Sequence, residues 1–218
     1  MAHKKVIAAV VAVTAGAAVS VAAVAQPGEQ PRVSVQAPVA AADKGLAATI
    51  SILDRPRTAA DNLPDSTAKG FSQAQPGGVN GSLARKAFST ATTDVFVAPG
   101  DGFACIITTP RDGTSFTECQ PVESVKAGTN RPATNVEYDR VTNVGLVPDG
   151  VDSVEVTFAD GTQRQQPVAG NVYMIETTVG NQATAVAYDG PNGRVELETI
   201  QHDPERFKNL RDVAELRK

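Results

Sequence analysis

Asp-Gly occurs five times in this chain, at 101, 112, 149, 160 and 189, and each pair separates two short runs rich in Val, Ile, Phe, Tyr and Thr. Asp hydrogen-bonds the local backbone and Gly accepts positive φ, so the dipeptide marks tight turns. A region broken this often, between about Asp94 and Ile200, has little room for long helices. Many short strands with turns between them indicate an all-β sandwich or barrel. No alternation of strands with helices supports a parallel sheet.

The clearest segment is Val147 to Met174, VPDGVDSVEVTFADGTQRQQPVAGNVYM. Pro148-Asp149-Gly150 forms a turn. Val154, Val156 and Phe158 then alternate with Glu155 and Thr157, the period of a half-buried strand. Asp160-Gly161 suits a two-residue type I′ loop. That loop would set Phe158 opposite Gln163, Val156 opposite Gln165 and Val154 opposite Pro167. The return strand is polar and ends in Pro, as expected of a sheet edge that must not pair with other chains.

Further strands are expected at Val95–Val97, Phe103–Thr109, Thr114–Val122, Asn135–Tyr138, Val141–Val147, Val172–Thr178, Gln182–Tyr188 and Arg194–Ile200. Before them, Leu46, Ile50 and Leu53 recur at helical spacing, and Thr58 caps a short turn through Ala59-Ala60-Asp61. Lys69 to Gly81 reads as loop, and Ser82 as the cap of a turn carrying Leu83, Ala87 and Phe88. At the other end Asp203 fits an N-cap and Pro204 the first helical position. Phe207, Leu210 and Ala214 form a narrow stripe, for packing on the sheet or for docking a partner. The expected fold is therefore mainly β: a small antiparallel β-sandwich or barrel-like domain with short N-terminal helices and a C-terminal helix. Its divisions are a targeting segment (1–25), a disordered linker (26–43), short helices and loops (44–93), the antiparallel β domain (94–200) and the helix (201–218).

The targeting segment rests on Lys4-Lys5 followed by twenty uncharged residues, Val6 to Ala25. A basic start, an apolar stretch and small residues at Ala23 and Ala25 match a secretory signal cleaved before Gln26. Twenty residues also just span a bilayer core of roughly 30 Å, so an uncleaved membrane anchor is the alternative. The positive-inside rule sends the remainder outward in both cases. Removing Lys4 and Lys5 from the 20 basic residues leaves 18 against 24 acidic ones, a net charge of −6. That balance argues against a nucleic-acid partner, which needs a basic patch.

Only Cys105 and Cys119 carry a covalent signal. A three-residue loop at Arg111-Asp112-Gly113, with Gly in its left-handed position, places the two cysteines directly opposite each other. A cross-strand disulfide is then geometrically accessible, and an exported protein meets an oxidising compartment. Outside the basic start the one histidine is His202, expected to be exposed. A thiol or serine nucleophile would depend on it, and no G-x-S-x-G elbow exists. Two cysteines and one distant histidine do not make a zinc site. The five Asp residues are explained by turns, and Asp189 to Gly193 lacks the ligand spacing of a calcium loop. Glu118, Glu155 and Glu196 are the carboxylates that a fold could bring together for glycoside chemistry. The expectation is no catalytic residue, no cofactor and no metal.

Three stretches, ILDRPRTAADNLP (Ile52 to Pro64), VFVAPGDGFACII (Val95 to Ile107) with Cys119 beyond it, and GLVPDGVDSVEV (Gly145 to Val156), resemble exported β-rich proteins of unknown function from actinobacteria. The likeness covers about Ile52 to Glu176. It implies export and carries no activity and no site residues. The functional expectation is an exported β-domain, secreted or membrane-tethered, with a non-catalytic binding or structural role at the cell surface. Its partner would be a cell-surface or membrane protein. The alternatives are a small extracytoplasmic hydrolase using carboxylates and an accessory domain that regulates a membrane partner.

Overall fold

The structure, a computed structural model, describes residues 46–71, 78–111 and 114–205. The expected signal or anchor, the linker, the Asp112-Gly113 loop and the helix beyond Glu205 lie outside the described residues. Within them run eleven strands: β1 (Arg85–Ser89), β2 (Thr93–Pro99), β3 (Phe103–Pro110), β4 (Phe116–Pro121), β5 (Ala133–Glu137), β6 (Arg140–Leu146), β7 (Ser153–Phe158), β8 (Gln163–Pro167), β9 (Val172–Thr178), β10 (Ala183–Gly190) and β11 (Gly193–Glu198). Two short helices accompany them, α1 (Asp65–Phe71) and α2 (Val122–Ala127).

The strands form three antiparallel sheets with the orders β1-β2-β3-β4, β5-β6-β9 and β11-β10-β7-β8. Three apolar clusters show how they stack. Val95, Val97, Ala104 and Ile106 of the first sheet pack on Val144, Leu146, Val172 and Met174 of the middle one. Tyr173 and Ile175, on the opposite face of β9, pack on Val154, Val156, Phe158, Val186 and Tyr188 of the last sheet. The far face of the first sheet, with Phe96, Ala98, Cys105 and Ile107, is covered by Leu63, Phe71, Val79 and Ala84. The fold is thus mainly β and sandwich-like, as expected, with three stacked sheets and no closed barrel among the described residues. Strands buried on both faces read as continuous apolar runs, VFVA in β2 and VYMI in β9, whereas β7, buried on one face, alternates.

Several expectations are corrected. The β7–β8 loop has three residues: Phe158 N–H donates to Thr162 O (2.9 Å), Gly161 N–H to Phe158 O (2.9 Å), and Gly161 has φ +80°. This is a type I turn followed by a bulge at glycine. Asp160 Oδ1 accepts from Thr162 N–H (2.9 Å) and Oγ1 (2.6 Å), and Asn181 Nδ2 donates to its Oδ2 (2.9 Å), which favours the longer loop. The register moves by one: Val156 faces Arg164 and Val154 faces Gln166. The Arg164 guanidinium consequently lies 5.0 Å from the Phe158 ring centre. β8 remains an exposed edge strand, as its sequence implied.

The β region starts at Arg85 and not at Asp94. Ala87 and Phe88 belong to β1, because pairing with β2 overrides a sequence that lacks alternation. Helix α1 lies partly where a loop was expected. Its Ser, Thr and Gly carry little helix propensity, and Phe71 in the apolar cluster and Thr67, whose Oγ1 is 2.8 Å from Ser115 Oγ, hold it. Helix α2 interrupts the β region between Pro121 and Gly128; Gly128 ends it in the left-handed conformation (φ +66°). Asp189-Gly190 ends β10, and Pro191-Asn192 makes that turn instead. The short turn at Ala59–Asp61 forms as expected.

Candidate functional site

The cysteines pair as their register required. Cys105 faces Cys119 across β3 and β4, and the two are disulfide-bonded on the buried far face of the first sheet. The bond fits an oxidising, extracytoplasmic environment. Among the described residues, no helix is long and apolar enough to cross a membrane.

Of the three candidate carboxylates, two share one face and the third lies in another sheet. Glu118 lies on β4 in the first sheet. Glu155 and Glu196 share the outer face of the last sheet, one on each side of Ala187, and Arg194 pairs with Glu155 at 2.8 Å. No cavity joins these three among the hollows described below. His202 is half-buried rather than exposed; its backbone N–H donates to Gln182 Oε1 (2.8 Å) and its carbonyl accepts from Gln182 Nε2 (2.7 Å). Among the described residues no group of three or more His, Cys, Asp or Glu side chains is placed to hold a metal.

Two acidic residues act as structural hubs. Asp61 is fully buried and accepts from Arg55 through both oxygens (2.6 and 2.9 Å), from Lys86 N–H (2.7 Å), and from Thr58 N–H (2.6 Å) and Oγ1 (3.0 Å). The Arg55 guanidinium, with the two backbone N–H groups, holds its carboxyl far below the usual carboxylate range despite burial. Asp149 Oδ1 accepts from Ser51 N–H (2.9 Å) and Asn171 Nδ2 (2.8 Å), while Asn171, at φ +64°, accepts from Ile52 N–H (3.2 Å). Both hubs fasten the segment from Leu46 to Asn62 to the strands. The RPRTAAD and VPDG stretches are accounted for by this clasp.

A cleft of a different character opens between the first and middle sheets. In the middle sheet, register places Ala133, Val144 and Met174 in one row, Asn135, Thr142 and Glu176 in the next, and Glu137, Arg140 and Thr178 in the last. On the facing sheet, Val97 opposite Ile106 gives way to Val95 opposite Thr108 and then Thr93 opposite Pro110. The interlayer core therefore turns polar along the strands and ends in a mouth. Its inner recess, about 20 Å³, is lined by Thr93, Thr108, Phe116, Asn135, Thr142 and Glu176. That volume admits about one water molecule. The outer hollow, about 470 Å³ and open to solvent, is lined by Glu137, Tyr138, Asp139, Arg140, Glu176 and Thr178.

Tyr138 stands at the lip. It sits in the two-residue loop between β5 and β6 with φ +57°, and it is 54% exposed. A non-glycine residue in this region costs of order 1–3 kcal/mol, and such strain concentrates at functional sites. Val179 N–H donates to Asp139 O (2.9 Å), which ties the loop to the end of β9. Arg140 and Glu137 pair at 3.7 Å. No protein-family model, no curated protein and no solved structure matches the chain.

None of these lip residues was singled out from sequence. They come from three strands and a loop lacking Gly and Asn, so no local motif announces them.

Proposed function

We propose that this chain is an exported, non-catalytic binding domain acting at the cell surface, secreted or held there by its N-terminal segment. The observation that carries the proposal is Tyr138: an exposed aromatic in a left-handed conformation at the lip of a polar hollow. Rigid, amphipathic aromatics of this kind anchor binding surfaces. The disulfide and the resemblance to exported actinobacterial proteins support the location. Oxidised full-length protein should co-sediment with detergent-extracted cell wall from the source organism, which lacks the membrane that the N-terminal segment could enter. Tyr138→Gly should abolish that retention; equal retention of both proteins removes the hollow from the function.

Hydrolysis is the second reading, because Glu137 and Glu176 both line the hollow. Envelope glycan released by wild-type protein and not by Glu176→Gln would favour it.

A further inference from the structure

From the chemistry of the hollow we infer its ligand class: a neutral, polyhydroxylated chain, an oligosaccharide without acidic groups. The inference rests on the hollow being the binding site proposed above. The lining sets one aromatic side chain, Tyr138, among charged and hydroxyl side chains, so a ligand there meets an apolar ring and hydrogen-bonding groups together. What the walls offer is a mixture of hydrogen-bonding types. Thr178 can donate and accept, Thr177, whose hydroxyl donates to the Asn181 carbonyl, can accept, Glu137 and Glu176 accept, and Arg140 donates. Sugar hydroxyls, each donor and acceptor at once, match such a mixture without a fixed charge.

Charge argues against acidic polymers. Glu137, Asp139 and Glu176 outweigh Arg140, which is itself engaged with Glu137. A phosphate- or uronate-bearing chain would meet a surplus of like charge. Size agrees as well. The outer hollow, about 470 Å³, falls within the usual range for small-ligand sites, whereas the inner recess of about 20 Å³ takes a single water or hydroxyl. The hollow is open to solvent, so a longer chain need not end inside it. The Tyr138 ring then lies where a pyranose can stack its C–H face on the negative π surface. Its strained backbone and the bond from Val179 to Asp139 fix the loop before the ligand arrives, which lowers the ordering cost of binding.

The test uses oxidised full-length protein and titration calorimetry, with amide chemical shifts to locate the contact. The probes are short oligomers of β-1,4-linked glucose and of N-acetylglucosamine, with an oligogalacturonate as the acidic counterpart. At least one neutral oligomer should bind and move the resonances of residues 137–140 and 176–178. Tyr138→Gly should weaken that binding by at least about tenfold, or 1.4 kcal/mol. Glycine accepts the positive φ without strain, so this variant should be no less stable than wild type and its loss of binding cannot be ascribed to unfolding. Tyr138→Phe should retain the affinity.

Absence of shifts in the hollow with every neutral oligomer, or equal binding of the uronate, overturns the ligand class. Envelope retention that depends on Tyr138 but does not yield to excess neutral oligomer also overturns it, while leaving the binding-domain proposal standing. Cleavage of a bound neutral oligomer would do the reverse: the ligand class would stand and the non-catalytic proposal would fall.

Discussion

Asp61→Ala should loosen the N-terminal clasp more than any other single change to an acidic residue described here. The carboxylate is fully buried, and truncation strips an acceptor from five donor contacts, two of them backbone N–H groups that nothing nearby replaces. Breaking a buried ion pair by removing one partner costs about 3–5 kcal/mol. The Arg55 side chain is 38% exposed and can rehydrate, so the lower end applies, about 3 kcal/mol. For a protein of this size that corresponds to a fall of roughly 6–12 °C in Tm. Asp61→Asn keeps the shape but turns a donor toward Arg55, and should lose about 2 kcal/mol. The sign of the pH effect follows from the depressed folded-state pKa. The clasp contributes fully above the unfolded-state value of about 3.9 and is lost as pH falls toward the lower folded-state value. Urea denaturation of wild type and Asp61→Asn at pH 7 and near pH 3 measures this, with amide exchange following residues 46–62. The gap between the two proteins should narrow at the lower pH. A loss under about 1 kcal/mol for Asp61→Ala at pH 7, with no faster exchange in 46–62, would refute the hub.

Gly145→Ala should be poorly tolerated, because a Cβ there would lie 2.3 Å from the Tyr173 hydroxyl and 2.4 Å from its ring. The expected loss is about 3 kcal/mol by thermal unfolding, and a change under about 1 kcal/mol would mean that the ring moves freely. The Tyr173 hydroxyl is buried and has no hydrogen-bond partner among the described residues, and burial pushes its pKa up. Tyr173→Phe should therefore be neutral or stabilising by about 1 kcal/mol, and a clear loss by denaturation would show that the hydroxyl is bonded after all. Replacing Cys105 and Cys119 by Ser should cost about 3 kcal/mol for a bridge spanning 14 residues. Wild type in reductant should melt together with that variant, and an unchanged Tm in reductant would contradict this.

Features whose cause lies within a few residues were legible in the sequence. The antiparallel β character followed from Asp-Gly turns and short apolar runs, and the Cys105–Cys119 bond from counting residues on both sides of one loop. The polar face and terminal Pro of β8 marked it as an edge, and Thr58 marked the turn that follows it. Helix α2 was also within reach, since Pro121 precedes it and Gly128 follows it, but the strand expected at Thr114–Val122 takes in only its first residue and no element was expected over 123–127. The one-residue error in the β7–β8 register has a long-range cause, because Asn181, outside the hairpin, clamps Asp160 and helps select the longer loop.

What only the tertiary structure decided depends on which strands share a layer. The turns in the sequence specify antiparallel neighbours, but β9 leaves the β7–β8 hairpin and joins β6 while β10 returns to β7, which makes three sheets. Local energies at the turns do not distinguish these pairings; burial of β9 on both faces does, through Val172 and Met174 on one side and Tyr173 and Ile175 on the other. The burial of Asp61 is decided in the same way, by the arrival of Lys86 and Arg55 from outside its own turn. The hollow at Tyr138 is furthest from the sequence. Its walls come from β5, β6 and β9, with the first sheet closing the inner recess, and its polarity arises because an interlayer core runs out of apolar side chains at one end.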